Sequence, residues 1–451
     1  MTAEETRPWE PLIEYLSADD AMQIKTHLDQ LNADDIAAAL SHLNEDERAK
    51  LFHVLTAVEG AELIDDIPWD YALRILEEIS PDEAASIINE LSSDAQADFI
   101  GEMDAEGAEA ILEELSADVA ENVKELIQYE PDTAGGLMIT EYLAFEESRT
   151  VGEVIKDLGE NADQYEKYHL QYLYVTADGQ FIGVLNMRNL LLSKPSTPLS
   201  SIVLRSAQTV DVNEDLEGLI RFFDTHDFYG VPVLGDNEEM RGVILRKDLR
   251  EAQQEDLNNQ HLETQGIVGG EELRTMPVLL RARRRLSWLS VNILLNIAAA
   301  SVIAVYQDTL SAVIALAVFL PIISDMSGCS GNQAVAVSLR ELSLGVVKPF
   351  ELARVWIQEV SVGLINGVVL GLLIGTAAWL WQGNFYLGLV VGGALCINTL
   401  VAVSLGGIIP LALKRFDIDP ALASGPLLTT VTDMCGFFLA LTFAGAMINL
   451  L

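Results

Sequence analysis

Two carboxylates stand where apolar sequence surrounds them. Asp433 is the single charged residue between Pro420 and Leu451, inside GPLLTTVTDMCGFFLALTFAGAMINLL. Upstream, Asp325 interrupts a second apolar run at LPIISDMSGCSGNQ, Leu320 to Gln333, amid Ser, Gly, Asn and Gln. An apolar run of about 20 residues can span a bilayer. A carboxylate inside such a run is costly, and where it persists it faces a bundle interior or a water-filled path. Helix packing explains small residues in these stretches but has no use for a charge. The residue types suit a hard cation, which takes oxygen ligands. Mg2+ sheds its water reluctantly, so one or two carboxylates suffice with waters left in place. The two stretches are therefore expected to meet and line a cation pathway. A two-fold axis between two copies of the chain would bring two Asp433 carboxylates together.

The rest of the chain must position these groups. Its 451 residues carry a formal net charge of −41 with 50% hydrophobic residues, which is odd for one soluble domain. Of 27 basic and 68 acidic residues, 9 and 8 lie after position 280, leaving 18 and 60 before it. The chain therefore divides into an acidic soluble half and an apolar membrane half. Such acidity repels phosphates and argues against nucleic-acid binding; it suits either divalent cations or a merely solvated acidic surface. Cys329, Cys396 and Cys435 all lie in the apolar half without metal-type or CxxC spacing, so neither a disulfide framework nor a zinc site is indicated. The six histidines are scattered, and no phosphate-cradling glycine pattern or nucleophile–base pair stands out, so no enzyme is expected. The start, MTAEETRPWE, has neither a basic n-region nor an apolar h-region, so no cleavable signal is expected.

Residues 1–130 repeat with a period of 12 through Leu31, Leu43, Leu55, Ile67, Ile79, Leu91, Met103 and Leu115. Asn32, Asn44, Ser80, Ser92, Asp104 and Ser116 follow these positions as expected N-caps. Acidic residues then enter each first turn, where the helix dipole favours them. Helices of about two turns are marginal alone and must stack, giving an all-α superhelical domain. Residues 131–250 hold two copies of a strand–turn–strand–helix unit, at Tyr172–Leu191 and Phe228–Arg250. Their hairpin turns fall at Ala177-Asp178-Gly179 and Gly235-Asp236-Asn237. Residues 251–280 form a polar connecting helix without a wide apolar face. Residues 281–451 contain five apolar segments, near 286–306, 310–339, 360–381, 385–413 and 427–450, with Arg281 to Arg285 ending the soluble part. Every second loop is basic, which places the N-terminal half in the cytoplasm and, after five spans, the C-terminus outside. Gly363, Gly367, Gly371 and Gly375 make a ridge suited to close helix packing. Counted from Pro426, Asp433 sits about 10 Å into its span.

The paired units in 131–250 resemble tandem CBS domains, which implies an adenine nucleotide such as ATP between the copies, with Arg188 and Phe228 as its candidate contacts. The second copy keeps the motif's Gly242 and Asp248; the first has Asn189 in place of the Asp, and Leu245 replaces the usual hydroxyl residue. The order of parts over the whole chain, and the stretches Asp419-Pro420-Ala421, Gly425-Pro426, Thr429-Thr430 to Asp433 and Pro321, Gly328, Gly331, Asn332 and Gln333, resemble the MgtE family of magnesium channels and transporters. That resemblance implies a multi-pass homodimer among the lipids of the cell inner membrane. Its ion pathway would use Asp433, Asp325, Gly328, Asn332 and Thr429. Cytosolic Mg2+ would close it by binding at Asp82, Glu217, Asp227, Asp248, Glu251 and Asp256, the connecting helix acting as a plug. Two departures from the family pattern are Asp325 where Gly is usual and Cys329 where Asn is usual. A thiolate favours softer metals, so two alternatives stand beside Mg2+ transport. One is the same architecture carrying Co2+ or Zn2+; the other is a membrane-anchored metal or nucleotide sensor that transports nothing.

Overall fold

The structure is a computed structural model. It describes residues 7–451 except 164, 166, 167, 169, 170, 236, 265, 268–271, 273, 275, 417 and 419, and the side chains of 421–424. The chain forms two compact units, residues 1–256 with 273–275, and 257–272 with 276–451.

The first unit opens with ten helices: α1 (Trp9–Ser17), α2 (Ala21–Leu28), α3 (Ala33–His42), α4 (Glu45–Val54), α5 (Ala57–Asp65), α6 (Trp69–Glu78), α7 (Pro81–Ile88), α8 (Ser93–Glu102), α9 (Ala105–Glu114) and α10 (Ala117–Leu126). The twelve-residue repeat marks their ends. Leu43, Leu55, Ile79, Met103 and Leu115 are C-cap residues in extended conformation, turning the chain into the next helix. The same residue type that breaks the helix also buries itself, so one apolar core runs through the stack from Leu12 to Val123. Asn32, Asn44, Asp104 and Ser116 accept from first-turn backbone N–H groups as expected. Ser80 and Ser92 do not: the Ser80 hydroxyl donates to Glu83 Oε2 instead. Thr56, absent from the expected set, forms a capping box with Glu59.

Two βαββα units follow. The first contains β1 (Ala144–Glu146), α11 (Val151–Glu160), β2 (Tyr172–Ala177), β3 (Gln180–Asn186) and α12 (Met187–Leu192). The second contains β4 (Val210–Asp211), α13 (Leu216–Thr225), β5 (Gly230–Leu234), β6 (Met240–Leu245) and α14 (Arg246–Thr264). Each sheet has the order edge–centre–edge, with β1 parallel to β2 and β4 parallel to β5, then antiparallel hairpins β2–β3 and β5–β6. Both central strands are bulged, at Val175/Thr176 and Val233/Leu234. Asp178 and Gly179 take φ of 50° and 79° at the first hairpin, the left-handed pair that a two-residue turn needs. At the second, Asp236 lies outside the described residues, and Gly235 N–H donates to Glu239 O at 3.0 Å. Ala97 and Leu126 of the helical stack share a core with Val231, Val233, Ile244 and Phe223, so the second βαββα unit packs directly on the stack. The polar helix begins at Arg246, straight out of β6, rather than at 251. Of the 251–280 stretch expected to be helical, 265, 268–271, 273 and 275 lie outside the described residues.

The second unit holds α15 (Val278–Val305), α16 (Gln307–Ala312), α17 (Leu316–Ser343), α18 (Leu352–Gln382), α19 (Phe385–Arg415) and α20 (Pro420–Ala446). Arg281 to Arg285 lie inside α15 instead of preceding it. The apolar stretch from 310 is divided between α16 and α17. Pro426 lies within α20 rather than at its start, so Asp433 is thirteen residues along the helix, about 20 Å at the helical rise. Interior proline is tolerated in membrane helices. Among the described residues, four helices are long and apolar enough to cross a membrane: α15, α18, α19 and the Gly425–Ala446 part of α20. Helix α17 has 28 residues, but Ser324, Asp325, Ser327, Ser330, Asn332 and Gln333 dilute its apolar character.

Helix α19 is the centre of this unit, buried at intervals from Leu387 to Leu411. Gly383 at φ 69° ends α18 and Asn384 caps α19 by accepting from Tyr386 N–H at 2.8 Å, which folds the two helices back on each other. The glycine ridge then meets α19 at backbone distance. A Cβ on Gly371 would lie 2.6 Å from the Gly392 carbonyl oxygen, and one on Gly392 would lie 2.5 Å from that of Gly371.

Candidate ion pathway and acidic cluster

Helices α17 and α20 pack against each other and against α19 through Phe319, Leu320, Ile323, Leu395, Ala440 and Leu441. That packing sets the depth of their polar residues. Asp433 is half-buried on α20, and the Ser324 hydroxyl of α17 donates to its Oδ1. Asp325, Cys329 and Asn332 are exposed at i, i+4 and i+7 on α17, so they share one face. Gly328 is buried one turn below Ser324, and a Cβ there would reach Thr432 Oγ1 at 4.0 Å. Thr429, four residues before Asp433 and therefore on its face of α20, is exposed and donates to Gly425 O at 2.9 Å. The two expected stretches thus meet through Ser324 and Asp433. Of the family-marking residues, Asp419 lies outside the described residues.

Sequence reading missed Ser324 and three buried polar residues beside it: Ser327, Asn398 and Thr432 are each fully buried. Asn398 Nδ2 donates to Ser327 Oγ and to Thr432 O, the second at 3.0 Å. The signal was present, since Asn398 breaks the apolar run LCINTLV, but nothing in the sequence pairs it with either neighbour.

In the first unit, Asp248 and Glu251 at the start of α14 face Asp65 and Asp94 of the helical stack, and Glu255 faces Glu102. Asp98 completes the group beside Asp94, Glu102 and Glu255. Burial, reinforced by the neighbouring carboxylates, pushes the Asp98 and Asp248 carboxyls up to about 7. Asp248 Oδ2 is buried without a hydrogen-bond partner among the described residues. Such a concentration of like charge favours any counter-charge that can enter. In the arrangement described, no group of three or more His, Cys, Asp and Glu side chains among the described residues is set to hold a metal ion.

Asp82, Glu217 and Asp227 are not among the carboxylates that act on this cluster. Asp82 is exposed in the first turn of α7. Glu217 and Asp227 are exposed near either end of α13, 3.6 Å from Arg221 and 3.8 Å from Arg246 respectively. Asp256 is half-buried farther along α14. Asp65, Asp94, Asp98, Glu102 and Glu255 were not among the expected regulatory residues, because first-turn and solvent-facing acids look alike in sequence until the partner helix is known.

Arg188 is exposed at the start of α12. Phe228 stacks on His226 with ring centroids 5.4 Å apart, and the Arg246 guanidinium donates to the Phe228 carbonyl at 2.7 Å. Neither residue lines the cavity of about 470 Å³ bounded by Tyr142, Tyr172, Tyr174, Arg246, Lys247 and Arg250.

Residues 320–443 match the family model described as a divalent cation transporter, residues 31–132 that of the MgtE intracellular N domain, and residues 199–255 that of a CBS domain. The chain is 32% identical over 312 residues to the magnesium transporter MgtE of Enterococcus faecalis, covering 69% of this chain and 68% of the relative. It is 30% identical over 328 residues to that of Bacillus subtilis, 72% of each chain, and 31% identical over 326 residues to that of Thermus thermophilus, 71% of each. A solved structure of the cytosolic domain of the Mg2+ channel MgtE in complex with ATP is 27% identical, covers 54% of this chain and 98% of its own, and superposes with a TM-score of 0.49. Acidic helical stack, CBS units and polar-lined membrane helices each meet their counterpart in one set of relatives, and the chain belongs to the MgtE family of magnesium transporters.

Proposed function

We propose that this protein carries Mg2+ across the membrane along a pathway whose ion-holding carboxylate is Asp433, walled by Asp325, Gly328, Asn332 and Thr429. One observation carries the reading: an intramembrane carboxylate held by a hydroxyl from the neighbouring helix, with a second carboxylate next to that hydroxyl in the chain. Such a pair is expensive in lipid unless a cation uses it. The names of the relatives favour Mg2+ over Co2+ or Zn2+, and transport over a sensor role or an enzyme.

A homodimer seated among membrane lipids would place two Asp433 carboxylates about one axis. With α15 and α17 to α20 as five spans, the basic loops put the N-terminal half in the cytoplasm and the C-terminus outside. Cytosolic Mg2+ entering the cluster of Asp94, Asp98, Asp248, Glu251 and Glu255 would neutralise its repulsion and favour the closed population, a negative feedback on uptake. ATP at the CBS units, contacted by Arg188 and Phe228, would adjust that feedback.

The test is Mg2+ uptake by Mg2+-starved cells. Asp433→Ala and Asp433→Asn are expected to abolish it at normal membrane levels of protein. Uptake at the unaltered rate in either variant would overturn the assignment.

A further inference from the structure

One polar residue in the membrane unit joins three helices through its amide nitrogen, while its Oδ1 is buried without a hydrogen-bond partner among the described residues. Asn398 is fully buried on α19, within an otherwise apolar stretch. Its amide nitrogen reaches two different helices, donating to Ser327 Oγ on α17 and to the Thr432 carbonyl on α20. The amide orientation follows from its partners. A carbonyl accepts only, so the nitrogen must face Thr432 O. The Ser327 hydroxyl donates to Ile323 O within its own helix, which leaves its lone pairs to face Asn398.

The opposing helix is shaped for this contact. Gly436, one turn after Thr432, is buried, and a Cβ there would stand 2.7 Å from Asn398 Nδ2 and 3.3 Å from Ile323 Cγ2. Thr432 immediately precedes Asp433, and Ser324, which holds Asp433, lies one turn before Ser327. Two rungs therefore tie α17 to α20: Ser324–Asp433, and next to it Ser327–Asn398–Thr432. The second rung has no charge and no exposure, so it adds nothing to an ion directly.

We infer that Asn398 is a positioning residue for the ion pathway. It fixes the rotation and depth of α20 against α17, and so aims the Asp433 carboxylate. This rests on the transport reading given above. A ligand held in its productive orientation binds more tightly than one that must be ordered by the ion. Loosening the clamp is therefore expected to weaken the Asp433 site rather than remove it.

Ser338 supplies a control with a purely structural role. It is equally buried on α17 and donates to Gly407 O of α19 at 3.1 Å, away from Asp433. The full chain is reconstituted in lipid vesicles as wild type, Asn398→Ala, Ser327→Ala and Ser338→Ala, and Mg2+ influx is measured against Mg2+ concentration. Asn398→Ala is expected to raise the half-saturating Mg2+ about tenfold, and Ser327→Ala, which keeps the Thr432 contact, about threefold. Ser338→Ala is expected to leave it unchanged while lowering the melting temperature. Mg2+ binding to the purified full chain is measured in parallel, and the component that Asp433→Asn removes is followed in each variant. Should wild type bind but carry no Mg2+, the transport reading fails and the binding comparison still decides the clamp. Unaltered half-saturation in Ser327→Ala together with an unaltered or unfolded Asn398→Ala would overturn the inference. An equal shift in Ser338→Ala would overturn it as well.

Discussion

Carboxylates are used in opposite ways in the two halves of this molecule. Before position 281 there are 60 acidic residues against 18 basic ones. Many sit in the first turns of short helices, where each satisfies a helix end and repels its neighbours. After position 280 there are 8. Asp325 and Asp433 are two of them, and Ser324, next to Asp325 on α17, donates to Asp433 on α20. In water a carboxylate is cheap and acts by number. Among apolar helices it is costly and acts by placement, so its neighbours are fixed by hydroxyls, amides and glycines. The acidic half is suited to counting cations, the membrane half to holding one at a time.

The comparison breaks most sharply at Asp433. Asp433→Asn keeps the acceptor for Ser324 but removes the charge, and Mg2+ flux is expected to fall at least a hundredfold, with the melting temperature of the full chain unchanged or raised. If the charge were structural, stability would fall and flux would follow it.

A second prediction concerns backbone approach in the membrane half. Gly392→Ala would set a Cβ 2.5 Å from the Gly371 carbonyl, whereas Gly393→Ala would meet only Phe443 Cε2 at 3.8 Å. Overpacking of this kind costs about 1–3 kcal/mol. Gly392→Ala should lower the melting temperature of the full chain by several degrees, and Gly393→Ala should not. Equal behaviour of the two would deny that the α18–α19 contact is made through backbone.

The third prediction uses pH on the acidic half. Asp98 and Asp248 carboxyls are pushed up to about 7 in the folded unit from an ordinary value of 3.8. Between those values the folded unit holds protons that an unfolded chain has released, so its stability falls as pH rises. In chelator, the melting temperature of the acidic half's transition should drop from pH 5 to pH 8. Mg2+ should restore it at pH 8 and add little at pH 5. Asp98→Asn should flatten the profile. A cation-free profile that rises across that range would contradict the arrangement of the cluster.

The smallest effect tests the idea that acids in the helical stack cap as well as count. Thr56→Ala removes a capping box with Glu59 and should cost about 1 kcal/mol, visible in the acidic half's transition and absent from Mg2+ flux.

Local features were legible in the sequence. The period of 12 located the helix ends because the same leucine or isoleucine both stops one helix and enters the core. Asp178-Gly179 announced its hairpin, and the glycine ridge announced close packing. Ser80 and Ser92 misled because a serine after an apolar residue is an N-cap only if its hydroxyl is not drawn elsewhere, and Ser80 donates to Glu83. Pro426 stands at the start of the apolar span Gly425–Ala446, although α20 itself begins earlier, at Pro420. The pairings of Ser324 with Asp433 and of Asn398 with Thr432 join residues 109 and 34 positions apart. No periodicity carries that information; only the packed helices do. The same holds for Asp94 and Asp98 facing α14.

The division of labour can be tested in one measurement. Full-length protein in vesicles would be assayed for Mg2+ influx while Mg2+ on the side of the acidic half is raised, for wild type, Asp433→Asn and the Asp98→Asn/Asp248→Asn pair. Wild type should conduct and then shut. The Asp98/Asp248 variant should go on conducting at Mg2+ levels that close wild type, and Asp433→Asn should conduct at none. Flux through Asp433→Asn, or closure of the double variant at the wild-type Mg2+ level, would contradict the account.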